Sequence, residues 1–466
     1  MNFPKNFLWG ASSSAFQCEG AYLENGRTLS VADVRSKEAA KRLNIADTSV
    51  TVDFYHHYKE DIQLMKACGF TSFRMSISWS RLIPDGCGDY NKEAAKFYQN
   101  VFDELQKNGI EPIVTLYHFD LPQVLIEKYN GFASRQCIDD FVHYAKTCFE
   151  LYGHQIKYWL TINEQMVLTN LPHFHGLKTL KESYQAHHHM CIANALVFKL
   201  YKSMHLEGMI GPCISYTTRL PATVNSMDSM IAYHQDALQV FSLIDVHVYG
   251  KYPAYFINEL KRKGLMFEVQ EGDDELLANA KPDFLGLNWY VTEAIGQYVD
   301  DNESFGTYTG PEMPRQNRAV KGEYQYYKNP YTKYSEYNWN MDPVGLRFAL
   351  RRIYDIYRLP VMITENGWSA TESIGEDGMI HDADRVEYFQ GMVEQMDLAL
   401  ADGVELIGFN PWSFTDLLSA SQGMDKRYGL IFVDRDNHDL KTMKRIPKDS
   451  YYWYQSFLKK WREEVQ

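Results

Sequence analysis

The sequence lacks any long apolar run. A membrane-spanning helix needs roughly 18 or more apolar residues in succession, and no stretch of this chain approaches that length. The first residues, MNFPKNFLWG, also lack the basic start, apolar stretch and cleavage site of a secretory leader. We therefore expect no membrane partner and a cytoplasmic location.

Paired cysteines and metal-ligand motifs are also missing. The seven cysteines are scattered, with no C-x-x-C spacing, which argues against a disulfide framework and against a cysteine-ligated zinc site. His187, His188 and His189 are adjacent on a predicted helix and so point in different directions, whereas metal ligands must converge. The stretch DRDNHDL at 434–440 lacks the glycine and the final glutamate of a calcium loop. The sequence predicts no metal and no cofactor.

Positive charge is in deficit, because 47 Lys and Arg residues face 60 Asp and Glu residues, for a net charge of −13. A surface of that sign does not favour nucleic-acid phosphates or anionic lipid, so we expect no nucleic-acid partner. Any anionic ligand must be held by a local cluster. One such cluster is SASQGMDKRYG at 419–429, where hydroxyl groups stand beside Lys426 and Arg427.

No repeat, low-complexity tract or Gly/Ser linker marks a domain boundary, so residues 1–466 are predicted to form one domain. Amphipathic stretches, such as 53–69 and 382–403, alternate with eight apolar runs that read as buried strands. Such alternation predicts an α/β fold, a single parallel (β/α)8 TIM barrel with long strand-end loops. The runs are FLWGASSS, FTSFRMSISW, EPIVTLYHF, KYWLTIN, MIGPCISY, DFLGLNWY, LPVMITEN and VELIGFNPW.

The longest irregular segment, from about residue 298 to 340, follows the sixth run and is polar and rich in Tyr and Gly. Loops of that length in a compact domain are often active-site lids. We predict that this segment is a lid over the site.

Two carboxylates stand where a barrel would place its chemistry. Glu164 follows the fourth apolar run and Glu365 ends the seventh, and strand ends form the active face of such barrels. A glutamate at one strand end is more often solvated or ion-paired than catalytic. A pair of them fits the cleavage of a glycosidic bond with retention, which needs a nucleophile and an acid whose carboxyl groups lie roughly 5 Å apart.

The chain resembles glycoside hydrolase family 1, whose members are retaining β-glycosidases on a (β/α)8 barrel. The resemblance extends almost from end to end, and the motifs occur in the family's order. They are FLWGASSSAFQCEG (7–20), FRMSISWSR (73–81), LYHFDLP (116–122), LTINE (160–164), NWY (288–290), ITENG (363–367) and WSFTDLL (412–418).

This resemblance implies roles for individual residues. Glu164 is expected to be the acid/base and Glu365 the nucleophile, the pair already suggested by their strand-end positions. Arg74 and Tyr290 are expected to contact the nucleophile. The residues expected around the sugar ring are Gln17, His118 and Asn163, with Trp412 as a stacking platform.

The cluster at 419–429 departs from the glucosidase pattern. Family members that act on plain glucosides usually carry Glu followed by Trp after the W-S-x-x-D motif, whereas this chain has Ser419 and Ala420. A hydroxyl can donate to a phosphate that a carboxylate would repel, and a lysine supplies a compact positive charge. Ser419, Lys426 and Tyr428 match the family's phosphate-binding pattern, S-x-x-x-x-x-K-x-Y.

The resemblance therefore favours a 6-phospho-β-glucosidase acting on a small-molecule 6-phospho-β-glycoside. Ala420 favours glucosides over galactosides, since galactosidase-leaning members often carry Trp there. The open alternatives are a 6-phospho-β-galactosidase or dual enzyme, then a β-glucosidase for unphosphorylated substrates, and last a sugar-binding barrel without turnover. The sequence makes no prediction of the aglycone or the oligomeric state.

Overall fold

Eight parallel strands form the barrel, and each coincides with one of the eight apolar runs. The computed structural model describes residues 1–300, 304–305 and 319–465. Each strand is hydrogen-bonded to the next around the sheet, in the order β1-β8-β7-β6-β5-β4-β3-β2. The predicted TIM barrel is confirmed. The strands are β1 Leu8–Trp9, β2 Ser72–Ser76, β3 Glu111–Tyr117, β4 Tyr158–Asn163, β5 Met209–Ser215, β6 Leu285–Asn288, β7 Val361–Glu365 and β8 Leu406–Phe409.

The barrel closes between β1 and β2, although β1 itself is only two residues long. The chain beyond β1 continues the pairing: Ser12 bridges in parallel to both Arg74 and Trp412. The Arg74 N–H donates to the Ala11 carbonyl at 2.9 Å, and the Ser13 N–H donates to the Arg74 carbonyl at 2.8 Å. These bonds bring the first and last motifs of the chain beside the end of β2.

A helix or helical segment follows every strand and packs outside the barrel. The predicted helices at 53–69 and 382–403 are present. The long helix after β4 begins with a capping box in which Thr179 and Glu182 satisfy each other's backbone N–H groups. The outer helices are Phe54–Cys68, Lys92–Lys107, Gln136–Tyr152, Leu180–Ser203, Ser226–Asp236 continuing through a π-turn into Ser242–Tyr249, Pro343–Tyr357, Ala383–Ala401 and Asp449–Val465.

Short strands and helices elaborate the loops. Thr218–Pro221, Thr292–Gly296 and Gln325–Tyr327 form a small sheet, and Lys333–Tyr334 pairs with Asn340–Met341 in a hairpin. Ile431–Val433 pairs with Arg445–Pro447. Shorter helices include Val31–Leu43, Gln123–Tyr129, Ala254–Lys263 and Asp273–Ala278.

The structure describes only part of the segment 298–340, which is predicted to be a lid. Residues 301–303 and 306–318 lie outside the described residues, so the lid stays a prediction. The described part includes the hairpin Lys333–Tyr334/Asn340–Met341 and, between its strands, Trp339, which reaches the cavity described below.

The barrel interior is divided into an apolar part and a polar end. One cluster of buried apolar side chains is drawn from four strands and the residue just before β6, which fills the lower barrel as packed layers do in this fold. Buried polar residues, among them Arg74, Asn163 and Asn288, lie towards the carboxyl ends of β2, β4 and β6. Among the residues described, no helix is both long and apolar enough to span a bilayer.

Candidate active site

One cavity at the carboxyl ends of the strands is lined by most of the predicted site residues. All of them except Arg74 and Lys426 form its wall, and those two lie directly behind it. The predicted residues that line it are Gln17, His118, Asn163, Glu164, Tyr290, Glu365, Trp412, Ser419 and Tyr428. Sequence positions up to 411 residues apart thus meet at one end of the barrel.

The predicted nucleophile, Glu365, is held by two donors. It ends β7 and is only 4% exposed. Arg74 Nη1 lies 2.5 Å from Oε1, and the Tyr290 hydroxyl donates to Oε2 at 2.6 Å. Burial alone would lower the pKa of Arg74, but the adjacent carboxylate raises it above its usual value. Both carboxylate oxygens are therefore satisfied, and the side chain is fixed in one orientation.

Arg74 is itself fixed by two further bonds. Its Nε donates to Thr115 Oγ1 at 2.9 Å, and its Nη2 donates to Asn163 Oδ1 at 2.7 Å. The guanidinium fork is thus tied to β3, β4 and β7, with no exposed surface. Thr115 was missed by the sequence reasoning, because a threonine inside an apolar run gives no signal of its own.

The predicted acid/base, Glu164, follows β4 in a left-handed backbone conformation with φ +48°, which is costly for a residue with a side chain. Its N–H donates to the Cys213 carbonyl at 2.9 Å, which pins the turn. Burial, and secondly the charge of Glu365, raise the pKa of Glu164 to about 8. The carboxyl group is thus mostly protonated at neutral pH and can act as an acid.

Asn288 joins the two halves of the carboxylate pair and was missed from the sequence. Its Nδ2 donates to Glu164 Oε1 at 2.7 Å and to Asn163 Oδ1 at 3.1 Å, and it is paired with Glu365 across β6 and β7. The available signal was a polar residue at the end of an apolar strand, within the motif NWY.

The predicted sugar-binding residues Gln17, His118, Asn163 and Trp412 line the same cavity as the two carboxylates. The His118 and Trp412 rings stack at 5.8 Å with an interplanar angle of 16°. Burial, with a further contribution from Arg74, lowers the pKa of His118 well below its usual value, so the ring is neutral. Gln17 is oriented by two bonds, donating to the Leu418 carbonyl and accepting from the Ser14 hydroxyl, both at 2.8 Å.

Another part of the cavity wall, called the far end below, is formed by Ser419 and Tyr428, whose hydroxyl oxygens lie 3.2 Å apart. Ser419 and Gly423 exchange backbone hydrogen bonds of 2.7 and 3.1 Å in a tight turn. Gly423 has φ +60°, and a Cβ there would lie 1.9 Å from Asn437 Oδ1, so the turn requires glycine. Ala420 and Ser421 also face the cavity.

Lys426 is 4% exposed and lies among aromatic rings. Its Nζ is 4.3 Å from the ring centre of Trp339, 4.8 Å from that of Tyr337 and 5.5 Å from that of Tyr428. Within the described part of the chain it forms neither an ion pair nor a hydrogen bond. Burial lowers the pKa of Lys426 to about 7.

Arg427, the next residue, is fully engaged in the protein. Its Nη1 lies 2.9 Å from Asp416 Oδ2, and its Nη2 donates to the Arg435 carbonyl at 2.6 Å. The two adjacent cations of the 419–429 cluster therefore differ in their contacts: Arg427 holds the loop together, whereas Lys426 has no ion-pair partner among the described residues.

The three consecutive histidines are all buried and each has its own partner. His187 contacts Gln165 at 3.0 Å, His188 contacts Asp273 at 3.0 Å, and His189 contacts the Phe132 carbonyl at 2.8 Å. Over the described ranges, His, Cys, Asp and Glu nowhere gather in threes in an arrangement suited to a metal ion.

A second cavity lies behind the loop that follows β7 and contains none of the predicted site residues. Its buried charges neutralise one another: Glu372 pairs with Lys448, and Arg385 Nη1 lies 2.5 Å from Asp382 Oδ2. The cavity that holds the carboxylate pair is therefore the candidate active site.

Comparison with known proteins identifies the family. The sequence model of glycosyl hydrolase family 1 matches residues 1–463 of this chain. The chain is 40% identical to the aryl-phospho-beta-D-glucosidase BglC of Bacillus subtilis, over 98% of this chain and 97% of that protein. It is 36% identical to a 6-phospho-beta-galactosidase of Clostridium acetobutylicum, over 97% and 96%. The solved psychrophilic beta-glucosidase BglU from Micrococcus antarcticus superposes with a TM-score of 0.88 at 30% identity, over 99% and 98%. The chain therefore belongs to glycosyl hydrolase family 1.

Proposed function

We propose that this chain, as a single barrel domain, is a retaining 6-phospho-β-glucosidase that releases glucose 6-phosphate from a 6-phosphorylated β-glucoside. The observation that carries the proposal is one cavity whose wall contains both the carboxylate pair and the Ser419 and Tyr428 hydroxyls, with Lys426 packed against Tyr428. The printed names of relatives such as BglC support the same substrate class.

The reaction would proceed by double displacement. The Glu365 carboxylate attacks the anomeric carbon, the bond to the glycosidic oxygen breaks, and Glu164 gives its proton to that oxygen. The result is a covalent glycosyl-enzyme and a released aglycone. Glu164, now ionised, removes a proton from water, the water oxygen attacks the anomeric carbon, and Glu365 leaves as the carboxylate.

The protonation states of the ground state fit these roles. The pKa of Glu164, raised to about 8, keeps its proton in place before attack. Arg74 and Tyr290 each donate to Glu365, which holds both oxygens of the nucleophile in place for attack. Once Glu365 is esterified its negative charge is gone, so the pKa of Glu164 falls and the same group becomes a base.

Phosphate recognition would rest on the three residues at the far end. The Ser419 and Tyr428 hydroxyls can each donate to a phosphate oxygen, and the Lys426 ammonium can neutralise part of its charge. The carboxylate that plain glucosidases usually carry in place of Ser419 would repel that group. Ala420 leaves the wall beside Ser419 with only a methyl group, which supports glucosides as the first substrate and galactosides as a secondary one.

The test is a comparison of kcat/KM for an aryl β-glucoside, its 6-phosphate and the matching galactoside 6-phosphate. We expect the glucoside 6-phosphate to be the best substrate and the plain glucoside the worst. Preference for the plain glucoside would overturn the proposal. Preference for the galactoside 6-phosphate would keep the phosphate site and reassign the sugar.

A further inference from the structure

Tyr337 contacts Lys426 but is not one of the residues that line the cavity. It lies between the two hairpin strands Lys333–Tyr334 and Asn340–Met341, and it is 2% exposed. Its ring centre is 4.8 Å from Lys426 Nζ, within the range in which a ring face attracts a cation. With Trp339 and Tyr428, it completes a three-ring cage around the ammonium group.

The three rings stabilise the buried charge of Lys426 without a carboxylate. An ammonium group taken out of water needs compensation, which proteins usually supply with a carboxylate. A carboxylate bound to Lys426 would compete with a phosphate for the same charge. Ring faces stabilise the cation without neutralising it, and none of the described carboxylates pairs with Lys426. Burial lowers the pKa of Lys426 to about 7, so the charged form needs such support at neutral pH.

Tyr337 is itself fixed to the loop that carries the nucleophile strand onward. Its hydroxyl lies 2.8 Å from Thr371 Oγ1, six residues beyond Glu365. The neighbouring Ala370 exchanges backbone hydrogen bonds of 2.9 and 3.0 Å with Arg427. Tyr337 and Arg427, the residue after Lys426, are thus bonded to two consecutive residues, Thr371 and Ala370.

We propose that Tyr337 is a positioning residue for phosphate recognition, whose ring keeps the Lys426 ammonium group charged and in place behind Ser419 and Tyr428. This inference rests on the proposed function. It adds to the site a residue that touches neither the cavity nor the sugar.

The experiment compares Tyr337→Leu, Tyr337→Phe and wild type on an aryl β-glucoside 6-phosphate and on the plain aryl β-glucoside. The matched control is Tyr331→Leu, because Tyr331 belongs to the same segment and is 93% exposed. Loss of a desolvated cation–π contact predicts a decrease in kcat/KM of about 10- to 30-fold for Tyr337→Leu on the phosphorylated substrate. The loss should lie mainly in KM, and the plain substrate should lose far less.

Tyr337→Phe keeps the ring and loses only the bond to Thr371, so it should stay within about threefold of wild type on both substrates. The control should match wild type. Inhibition by glucose 6-phosphate should weaken in Tyr337→Leu in the same ratio as KM. If Tyr337→Leu does not fold, Tyr337→Met offers a side chain without a ring for the same comparison.

The outcomes separate this inference from the proposed function. A wild type that prefers the phosphorylated substrate, with Tyr337→Leu losing both activities equally or neither, would overturn the inference alone. A Phe variant as impaired as the Leu variant would also overturn it, because the hydroxyl and not the ring would then matter. A wild type that prefers the plain glucoside would overturn the proposed function first.

Discussion

The two buried cations beside the cavity, Arg74 and Lys426, have opposite kinds of partners. At the catalytic end, Arg74 has a carboxylate, an amide and a hydroxyl as partners, all between 2.5 and 2.9 Å. At the far end, the partners of the Lys426 ammonium group among the described residues are three ring faces. Both side chains are almost fully buried, so burial does not explain the difference.

The contrast separates preorganisation from recognition. Arg74 would serve a nucleophile that belongs to the protein, so all its bonds can be complete before substrate arrives, and its pKa is raised above the usual value. Lys426 would serve an anion that belongs to the substrate. None of the described carboxylates pairs with it, and its pKa is lowered to about 7. Catalysis is favoured by the first arrangement and selectivity by the second.

The largest expected effect is at the catalytic end, where Arg74 and Glu365 lie. Glu365→Gln removes the proposed nucleophile and should lower kcat by roughly 10⁵-fold or more on both phosphorylated and plain substrates, as loss of a nucleophile does in other covalent enzymes. Steady-state kinetics with an activated aryl leaving group measure it. As a control, azide should restore turnover to Glu365→Gly and yield the inverted product. A rescued product of retained configuration would contradict the assignment.

The next largest effect is expected at the far end, where Ser419 and Lys426 lie. The double variant Ser419→Ala/Lys426→Ala removes two charge-assisted bonds to the phosphate, each contributing roughly 1.5 to 3 kcal/mol. We expect kcat/KM for the 6-phosphate to fall by about 10² to 10⁴, and the ratio of phosphorylated to plain activity to collapse. For each single variant, kcat/KM on the 6-phosphate should lie between the values of the wild type and the double variant. Equal losses on both substrates would mean that this end shapes the whole site and does not read phosphate.

A third experiment uses pH. Lys426 is charged below its pKa of about 7 and neutral above it, so its contribution to binding the 6-phosphate should be lost as pH rises through that value. The plain glucoside should not show this loss and should decline only as Glu164 loses its proton near pH 8. The Lys426→Ala variant should give matching alkaline profiles for both substrates. Two identical profiles in the wild type would argue against the difference between the two cations.

The smallest expected effect concerns Asn288. Its donation to Glu164 favours the ionised carboxylate and so lowers the pKa of that group. Asn288→Ala should therefore move the alkaline limb of the kcat/KM profile to higher pH for both substrates, with a loss of rate of about tenfold or less. The profile of the plain glucoside is the cleanest measurement. A limb that moves to lower pH would show that Asn288 acts in another way.

The barrel and the carboxylate pair were within reach of the sequence alone. The eight apolar runs are local patterns, and all eight form the strands of the barrel, because a strand buried on both faces must be apolar along its length. Glu164 and Glu365 were found because parallel strands bring their carboxyl ends to one face, so a polar residue after an apolar run is already located. The same logic would have found Asn288, at the end of β6.

What the tertiary structure decided is the environment of those residues. The pKa of Glu164 depends on burial and on a carboxylate 201 positions later in the chain. The sequence marks Lys426 as a candidate phosphate ligand, but only the packing of Tyr337, Trp339 and Tyr428 shows that it is buried, with no counter-ion among the described residues. A local pattern determines which residues form a strand or end it. Burial and charge pairing are sums over neighbours brought together from distant parts of the chain, so no local pattern can contain them.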